Sequence, residues 1–506
     1  MAFLDDLLRQ GRRVNEHRPW PRAMVDAAVW RAVVVGLAEQ RLTLLGLWGE
    51  PQRVHLAVLE EPTPEEPAGL AVVSLDCPDG RFPSVAGRHA PAQRLERTLH
   101  DLFGLVPEGA ADMRPWLDHG RWGCAAPLGA AAPATSEAAA YRFLPTEGES
   151  LHQIAVGPVH AGIIEPGHFR FTANGETVVR LEARLGYLHK GIEGLMAGAE
   201  LAGAARLAGR TSGDSTVAYA LAFARAAEAA LGCEAPPRAH WLRALMAELE
   251  RLANHLGDIG AICNDAAFAL MLAHCGALRE RVLRTAEACF GHRLLRDVVV
   301  PGGVAADLDQ AGRDAVQALL ANIRERFPAL VELYDNTASL LDRTVSTGIL
   351  KPELARRFGA GGYVGRASGR GFDARRALAY PPYGNLDFEV PLREDGDVNA
   401  RVWIRIHEVE QSLSLIQQIL ARLPQGATRS DLPVAAGEGL ALVEGFRGDV
   451  LCWLRLDDAG RVARCHLRDP SWFQWPLLEA AIEGNIVADF PLCNKSFNCS
   501  YSGVDL

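Results

Sequence analysis

The chain has 506 residues, of which about half are hydrophobic, and its formal net charge is −10. This length suits two or three domains, and the acidic balance without a long basic tract excludes nucleic acid as a partner. No apolar run reaches the roughly 20 residues of a membrane-spanning helix, and the first residues lack the features of a secretory signal. We therefore expect a soluble, intracellular protein that associates with a membrane only through partners.

The first part of the chain alternates strand-like runs with charged, proline-rich turns. These runs cover residues 42–48, 54–59 and 70–75. Leucines at helical spacing then lead from Leu95 to Phe103. The pattern predicts a small N-terminal domain over residues 1–123. Residues 124–150 are rich in alanine and proline and lack periodicity, which is typical of a linker.

Long helices are predicted from residue 151 onward. After Pro236, leucines from Leu242 to Leu256 recur at spacings of three and four. A second apolar stripe with the same spacing runs from Val402 to Leu420. Several long amphipathic helices in one chain predict a helical bundle.

The ten cysteines are scattered, and no two of them are spaced as C-x-x-C. In a chain of this length, that pattern indicates neither a disulfide framework nor a zinc or iron–sulfur site. We interpret the cysteines as small buried hydrophobic residues in a reducing compartment.

Residues 157–219 concentrate titratable side chains within otherwise apolar segments. They are His160, Glu165, His168, His189, Lys190, Glu193, Arg210 and Asp214. Two interpretations are open: a structural network of ion pairs, or buried acids and histidines that relay protons. A second polar stretch, the arginine-rich loop 361–391, has either solvated charges or basic residues that face a buried anion or an acidic partner.

Three motifs carry a family resemblance: Gly157–His160 (GPVH), Glu165–Phe171 (EPGHFRF) and Gly186–Glu193 (GYLHKGIE). They resemble the catalytic large subunit of formate-hydrogenlyase and hydrogenase-4-type [NiFe] hydrogenases and, more distantly, the quinone-site subunit of respiratory complex I. The loop from Gly362 to Arg376 is similar to the same family. Residues 80–118 resemble the small accessory subunit of complex I.

The resemblance implies an α+β fold class. A small α+β accessory domain (1–123) and a linker (124–150) would precede a mainly helical large-subunit-like domain (151–506). Fusion of the two domains in one chain is a property of the hydrogenase branch and favours it over complex I, which usually keeps the two subunits separate.

The chain departs from the family at the metal site. Where the family has Arg-x-Cys-Gly-x-Cys, residues 210–215 read Arg-Thr-Ser-Gly-Asp-Ser, and the C-terminal cysteine positions fall on Ser500 and Gly503. All four ligand positions thus lack a thiolate: Ser212, Ser215, Ser500 and Gly503. Hydroxyls are hard donors that stay protonated, whereas nickel and low-spin iron require soft thiolates. We therefore expect neither a Ni–Fe centre nor any other metal or cofactor in this chain.

The resemblance also assigns candidate roles. The candidate proton-relay or pocket residues are His160, Glu165, His189, Glu193, Arg210 and Asp214. The candidate docking loop for an iron–sulfur small subunit, which would hold the iron–sulfur cluster, comprises Arg366, Asp373, Arg375 and Arg376. Further expected partners are complex-I-like, antiporter-type membrane subunits, with the chain peripheral on the cytoplasmic face of the inner membrane.

Three functions follow as hypotheses. The first is a large subunit without a Ni–Fe centre that couples electron transfer to ion-translocating subunits. The second is an active hydrogenase or NADH/quinone-type oxidoreductase with unusual ligands. The histidine and tyrosine of the quinone site fall on Ile164 and Gly213, which does not support quinone chemistry. The third is a structural platform. We also expect Thr211, Ser212, Asp214 and Ser215 to fill the former metal site with hydrogen bonds.

Overall fold

The computed structural model describes residues 3–63, 67–130, 140–158 and 165–506. Its N-terminal part consists of short helices and a five-stranded sheet with the order β1-β3-β6-β5-β4. The elements are α1 (Phe3–Leu8), β1 (Arg12–Arg13), β2 (His17–Arg18), β3 (Arg22–Met24), α2 (Ala27–Ala38), β4 (Thr43–Glu50), β5 (Arg53–Glu60), β6 (Gly69–Asp76), β7 (Arg81–Pro83), α3 (Gln93–Phe103) and β8 (Val106–Glu108).

This part agrees with the predicted strands and helix. Strands β4, β5 and β6 cover the three predicted runs, and their central residues are buried. Helix α2 begins at Asp26, whose carboxylate accepts hydrogen bonds from the backbone N–H groups of Ala28 and Val29. Helix α3 packs its leucines against β4. The confirmed fold class is therefore α+β.

The chain continues with a three-stranded antiparallel sheet, in the order β11-β10-β9, and then with helices. The elements are β9 (Leu151–Val156), β10 (His168–Asn174), β11 (Thr177–Arg184), α4 (Ile192–Met196), α5 (Leu201–Ala208), α6 (Thr216–Leu231), α7 (Pro237–Asp265), α8 (Ala269–Phe290), β12 (Val299–Val300), β13 (Gly303–Val304), α9 (Gln310–Asp335), α10 (Ala338–Thr344), α11 (Pro352–Arg357), α12 (Gly362–Arg366), α13 (Ala374–Ala377) and α14 (Val398–Arg422).

The two predicted long helices are α7 and α14, and they pack against each other. Their apolar stripes are buried, as the spacing predicts. Both helices also bury charged residues beside these stripes, among them Arg251 and Glu408. The bundle core is therefore partly ionic. None of the helices in the described ranges is both long and apolar enough to cross a membrane.

The last part of the chain contains strands that the sequence analysis did not identify. They are β14 (Gly437–Glu444), β15 (Asp449–Leu456) and β16 (Val462–Arg468), followed by α15 (Ser471–Ala481), α16 (Phe490–Phe497) and α17 (Ser502–Asp505). Helix α6 packs against β14 and β15. Gly439 permits this close approach, because a Cβ atom there would lie 2.0 Å from the Ala226 carbonyl oxygen.

The N-terminal residues join this sheet directly. Strand β2 pairs in parallel with β14, with His17 opposite Glu438. Trp48 of β4 stacks on His466 of β16 with ring centroids 5.0 Å apart. The predicted boundary near residue 123 stays a prediction, but residues on its two sides share one buried core.

Candidate functional site

The four positions that the family resemblance predicts to be degenerate ligand positions lie together. The loop after α5 carries Ser212, whose Oγ lies 3.0 Å from the Oγ of Ser500. The Ser500 hydroxyl also accepts a hydrogen bond from the backbone N–H of Gly503 at 2.9 Å. We call these four positions the serine site: Ser212, Ser215, Ser500 and Gly503. Two segments whose contacting serines are 288 residues apart in the chain therefore meet through hydroxyl groups.

Asp214 is the acidic centre of this site. One of its carboxylate oxygens accepts hydrogen bonds from Ser212 Oγ at 2.8 Å and from Ser215 Oγ at 3.0 Å. The other accepts from Arg447 at 2.5 Å. Burial would raise the pKa of Asp214, but the Arg447 charge and the hydroxyl donors lower it to about 2. Asp214 is therefore a carboxylate at neutral pH.

Arg447 connects the two halves of the site. It lies in the turn between β14 and β15, and its side chain is almost fully buried. It donates hydrogen bonds to Ser215 Oγ at 3.1 Å and to the Asn498 carbonyl oxygen at 2.6 Å, besides its ion pair with Asp214. Arg447 is 233 residues away from Asp214 in the chain, so no local motif indicates it.

The space beside Gly503 is occupied by Asp469. A Cβ atom at Gly503 would lie 2.6 Å from the carboxylate of Asp469. This carboxylate is held by hydrogen bonds from the hydroxyl of Tyr219 at 2.8 Å and the backbone N–H of Ser471 at 2.8 Å. Any side chain at position 503, including cysteine, would have to displace a fixed buried group.

The residues present do not fit a Ni–Fe centre held by four thiolates. The serine site offers three hydroxyls: those of Ser212 and Ser215 bond to Asp214, and that of Ser500 bonds to Ser212. Its fourth position has no side chain. Two cysteines lie nearby in the sequence, but burial raises the pKa of Cys493 to about 11 and that of Cys499 still higher. Within the described ranges, no three histidine, cysteine or acidic side chains are arranged to hold a metal ion.

A cavity of about 190 Å³ opens next to Asp214, between α7 and α8. About a third of the Asp214 side chain is exposed there (34%). Its walls include Leu249, Ala253, Val282, Leu283 and Ala286, with Glu250, Asn254 and Arg279 as polar neighbours. This volume is below the roughly 300 Å³ at which sites for drug-sized ligands begin. The cavity suits water or a molecule of a few heavy atoms.

Glu250 at this cavity holds the start of α6. Its carboxyl oxygens accept from the backbone N–H groups of Val217 at 2.7 Å and Ala218 at 3.1 Å. Burial raises the pKa of Glu250 to about 8, although the two N–H donors lower it. The Glu250 side chain therefore caps the start of α6, and its carboxyl group gains or loses a proton near neutral pH.

Glu193 lies in a separate buried ion pair. It accepts from Arg464 at 2.6 Å and from His466 at 2.7 Å, and all three side chains are nearly inaccessible. Burial would raise the pKa of Glu193, but the Arg464 charge and the hydrogen bonds from Arg464 and His466 lower it to about 2. These contacts fix α4 against β16, which fits the structural interpretation of this residue.

Arg210 and His189 also lie apart from the serine hydroxyls. Arg210 forms a two-point ion pair with Asp297 at the surface. His189 bonds through Nδ1 to the carbonyl oxygen of Asp505 at 2.6 Å and lies against Trp122. Both side chains therefore have their partners elsewhere, although His189 bonds to α17, the helix that contains Gly503.

Glu165 reaches the same C-terminal helix. Its carboxylate accepts a hydrogen bond from Ser502 Oγ at 2.6 Å, next to Gly503. His160, the remaining candidate, lies outside the described residues, as does Ile164. Asp214 is thus the one described candidate acid that contacts the serine hydroxyls directly.

The candidate docking loop is mostly internal. Arg366, Asp373 and Arg375 are buried, with side-chain exposures of 3% or less. The two arginines pair with Asp373 and with other acidic residues of this chain. Only Arg376 of the four is exposed. The basic residues therefore face buried anions, and a docking role for this set stays a prediction that rests on Arg376.

Comparison with known proteins finds two families, one in the N-terminal part of the chain and one in the C-terminal part. Residues 265–433 and 427–506 match the family described as the respiratory-chain NADH dehydrogenase 49 Kd subunit. Residues 51–138 match the family of the 30 Kd subunit of the same enzyme. The chain therefore carries segments of both families in one polypeptide.

Curated relatives extend over most of the chain. Hydrogenase-4 component G of Escherichia coli is 31% identical over 91% of this chain and 83% of its own length. Formate hydrogenlyase subunit 5 of E. coli is 32% identical over 86% of this chain and 78% of its own length. The carbon monoxide-induced hydrogenase of Rhodospirillum rubrum is 32% identical over 69% of this chain and 98% of its own length.

A solved structure has the same architecture. A chain of the membrane-bound sulfane sulfur reductase, an archaeal respiratory membrane complex, superimposes with a TM-score of 0.67 at 26% identity. The match covers 71% of this chain and 99% of that chain. The protein therefore belongs to the family of the 49 Kd subunit of respiratory-chain NADH dehydrogenase, in a form fused to a segment of the 30 Kd subunit family and homologous to hydrogenase-4 component G and formate hydrogenlyase subunit 5.

Proposed function

We propose that this chain is the large subunit of a membrane-associated, hydrogenase-4-like redox complex and works without a Ni–Fe centre. It docks an iron–sulfur subunit and couples electron transfer to ion-translocating membrane subunits, on the cytoplasmic face of the membrane. Family membership supports the kind of complex. The serine site is the observation that supports a chain without a Ni–Fe centre. There, the hydroxyls of Ser212 and Ser500 bond to each other, and Asp469 fills the space beside Gly503.

Metal analysis of the assembly tests this proposal. Nickel and iron per chain are measured on the complex purified from its native membrane. We expect no nickel, and iron only in proportion to a co-purified iron–sulfur subunit. Nickel near one atom per chain would overturn the proposal and favour the second hypothesis, an active hydrogenase with unusual ligands.

A cysteine variant sharpens the result. In Ser212→Cys/Ser215→Cys, two thiols return to the loop, but Ser500 and Gly503 still offer none. We expect this variant to purify without nickel as well, because two thiols among hydrogen-bonded hydroxyls do not complete a four-thiolate site. Stoichiometric nickel in the variant would mean that the site is more open than its hydrogen bonds indicate.

A redox measurement separates this proposal from a purely structural platform. The rate of electron transfer through the purified complex is compared between the native chain and Asp214→Asn. A role for the site acid predicts a slower rate in Asp214→Asn and an unchanged rate in Asp297→Asn, which changes a surface carboxylate paired with Arg210. Equal rates in all three would favour the platform.

A further inference from the structure

A second polar cluster lies away from the serine site, between α7, α14, β14 and the loop that contains α12 and α13. Each of its ionisable side chains is exposed by 3% or less. We call it the buried ion network: Arg251, Arg366, Arg375, Glu248, Asp373, Glu408, Glu444 and His255. The family resemblance places three of its members, Arg366, Asp373 and Arg375, in the candidate docking loop. Neither the resemblance nor the proposed function assigns a role to the other five.

The network has one more acid than it has permanent cations. Three guanidinium groups face four carboxyl groups, and His255 is the eighth member. A net negative charge in a buried site is costly, because its solvation is lost and the neighbours do not balance it. Charge balance therefore requires one proton, held by a carboxyl group or by His255.

The contacts of Glu408 and Glu248 mark both as ionised. Glu408 lies 2.7 Å from Arg366, 3.6 Å from Arg251 and 2.6 Å from His255. Glu248 accepts from Arg375 at 2.9 Å and also from two hydroxyls, those of Tyr383 and Ser412. Such sets of donors stabilise the charged form of a carboxyl group.

Asp373 is also well supplied with cationic donors. Its two oxygens receive hydrogen bonds from Arg375 at 3.1 and 2.7 Å, in addition to a longer contact with Arg366. Glu444, in contrast, has one ionic partner, Arg366 at 2.9 Å, and one backbone donor, Ala374 N–H at 2.9 Å. Glu444 therefore has the weakest support for a negative charge.

We propose that Glu444 is a proton-binding site, a carboxylic acid that keeps its proton in the folded chain near neutral pH. The direction of the pKa shifts agrees with this assignment. Burial and the Asp373 charge raise the pKa of Glu444 to about 7. Burial would also raise the pKa of Glu408, but Arg366 and His255 hold it well below its usual range. Burial lowers the pKa of His255, which keeps the imidazole neutral.

Neighbouring charges do not remove the excess acid. The nearby pair Asp449–Arg468 contributes one charge of either sign. Asp258 is paired with both Arg405 and the partly exposed Lys495. Arg225 on α6 lies over the ring of Tyr380 and, in the described part of the chain, forms no ion pair with the four carboxyl groups. Tyr380 and Tyr383 have raised pKa values because of their burial, so they stay neutral.

Glu444 lies in the chain close to Arg447 and contacts the segment that leads to Arg376, so its charge can affect both. Glu444 ends β14, and Arg447 of the serine site is three residues further on in the same turn. Ala374, which donates to Glu444, is two residues before the exposed Arg376. Loss of the proton would add a negative charge between these two regions. The proposal is independent of the proposed function, because it depends on the charge count alone.

Infrared spectroscopy of the purified full-length chain in its complex tests the site. The difference spectrum between the native chain and Glu444→Gln should contain the C=O band of a protonated carboxylic acid that titrates near the pKa of about 7. Bands from other buried acids, such as Glu250 with its pKa of about 8, are common to both chains and cancel. Glu408→Gln is the second variant, since Glu408 is equally buried and also pairs with Arg366. Its substitution leaves three carboxyl groups opposite three guanidinium groups, so the Glu444 band should titrate at lower pH in that variant than in the native chain.

Thermal unfolding gives a second readout. Glutamine replaces a protonated glutamic acid without a change of charge, so we expect Glu444→Gln to keep its Tm at pH 7 within a few degrees. Glu408→Gln removes a negative charge that three cationic or hydrogen-bonding partners face, and its Tm should fall clearly further. If the difference spectrum between the native chain and Glu444→Gln lacks this band, or if that variant fails to fold, the proposal is wrong.

Discussion

The serine site and the buried ion network satisfy their buried polar groups in different ways. Both bury many polar groups where segments distant in the chain meet. The serine site uses neutral hydroxyls around a single ion pair, Asp214–Arg447. The buried ion network uses eight ionisable side chains. Hydroxyls can rotate and exchange partners, whereas a buried charge requires its counter-charge.

This difference determines how each region responds to substitution. Loss of one hydroxyl leaves neighbours that can bond elsewhere, at a net cost of about 1 kcal/mol per hydrogen bond. Loss of one charge from the buried ion network leaves an uncompensated charge, which typically costs about 3–5 kcal/mol. Substitutions in the two regions should therefore differ severalfold in their effect on stability.

The largest effect is expected for Arg366→Leu. Arg366 contacts Glu408, Glu444 and Asp373, so its loss leaves carboxylates without their cation. We expect the free energy of unfolding to fall by about 3–5 kcal/mol, as measured by urea denaturation. Arg376→Leu in the same loop is the control. Because Arg376 is exposed, its substitution should change stability by about 0.5 kcal/mol or less, and equal losses in both variants would contradict the comparison.

Asp214→Asn should have the next largest effect. It removes the carboxylate that Arg447 and two serines face, and a loss of about 1–3 kcal/mol is expected because a third of the Asp214 side chain is exposed. The pKa of Asp214 is lowered, so its stabilisation is present above the usual aspartate pKa and is lost as pH falls toward about 2. The difference between native chain and variant should therefore shrink in acid. Asp297→Asn, at an exposed pair, should lose no more than about 1 kcal/mol.

Local sequence patterns were informative where structure depends on neighbours in the chain. The apolar stripes of α7 and α14 indicated both helices, because a 3.6-residue period directly reports a buried face. The motifs around residues 210–215 and 500–503 indicated which positions come together. Family comparison confirms the fused α+β architecture that these motifs implied.

The remaining features depend on partners far away in the chain. Arg447 reaches Asp214 across 233 residues, and Asp469, beside Gly503, is held by Tyr219 across 250 residues. No spacing rule exists for such contacts. The composition of the basic loop left solvated charges and a buried or partner anion open, because its counter-charges, Glu248 and Glu408, lie on helices whose apolar stripes dominated the pattern. The identity of a charged residue in the sequence does not show whether its side chain is buried or exposed to solvent.

Gly503→Cys tests whether the serine site can accept a side chain at its fourth position. The new Cβ atom would lie 2.6 Å from the Asp469 carboxylate, and overpacking of this kind costs about 1–3 kcal/mol. Gly213→Cys is the matched control, because the nearest atoms to a Cβ there are more than 4 Å away. Thermal unfolding should show a lower Tm for Gly503→Cys alone. Equal Tm values would mean that Asp469 moves aside, and the space beside Gly503 would then be available to a larger group.

The smallest effect is expected for Ser212→Ala, and it measures how independent the hydroxyls are. The substitution removes a hydrogen bond to Asp214 and another to Ser500, at about 1 kcal/mol in total if Ser215 and Arg447 continue to hold Asp214. The double variant Ser212→Ala/Ser215→Ala should then cost more than the sum of the single variants, since Asp214 loses both hydroxyl donors and the second loss is uncompensated. Urea denaturation of the four chains gives this coupling free energy. Strict additivity would show that each serine contacts Asp214 independently, and the serine site would then resemble a set of separate surface contacts more than a cooperative network.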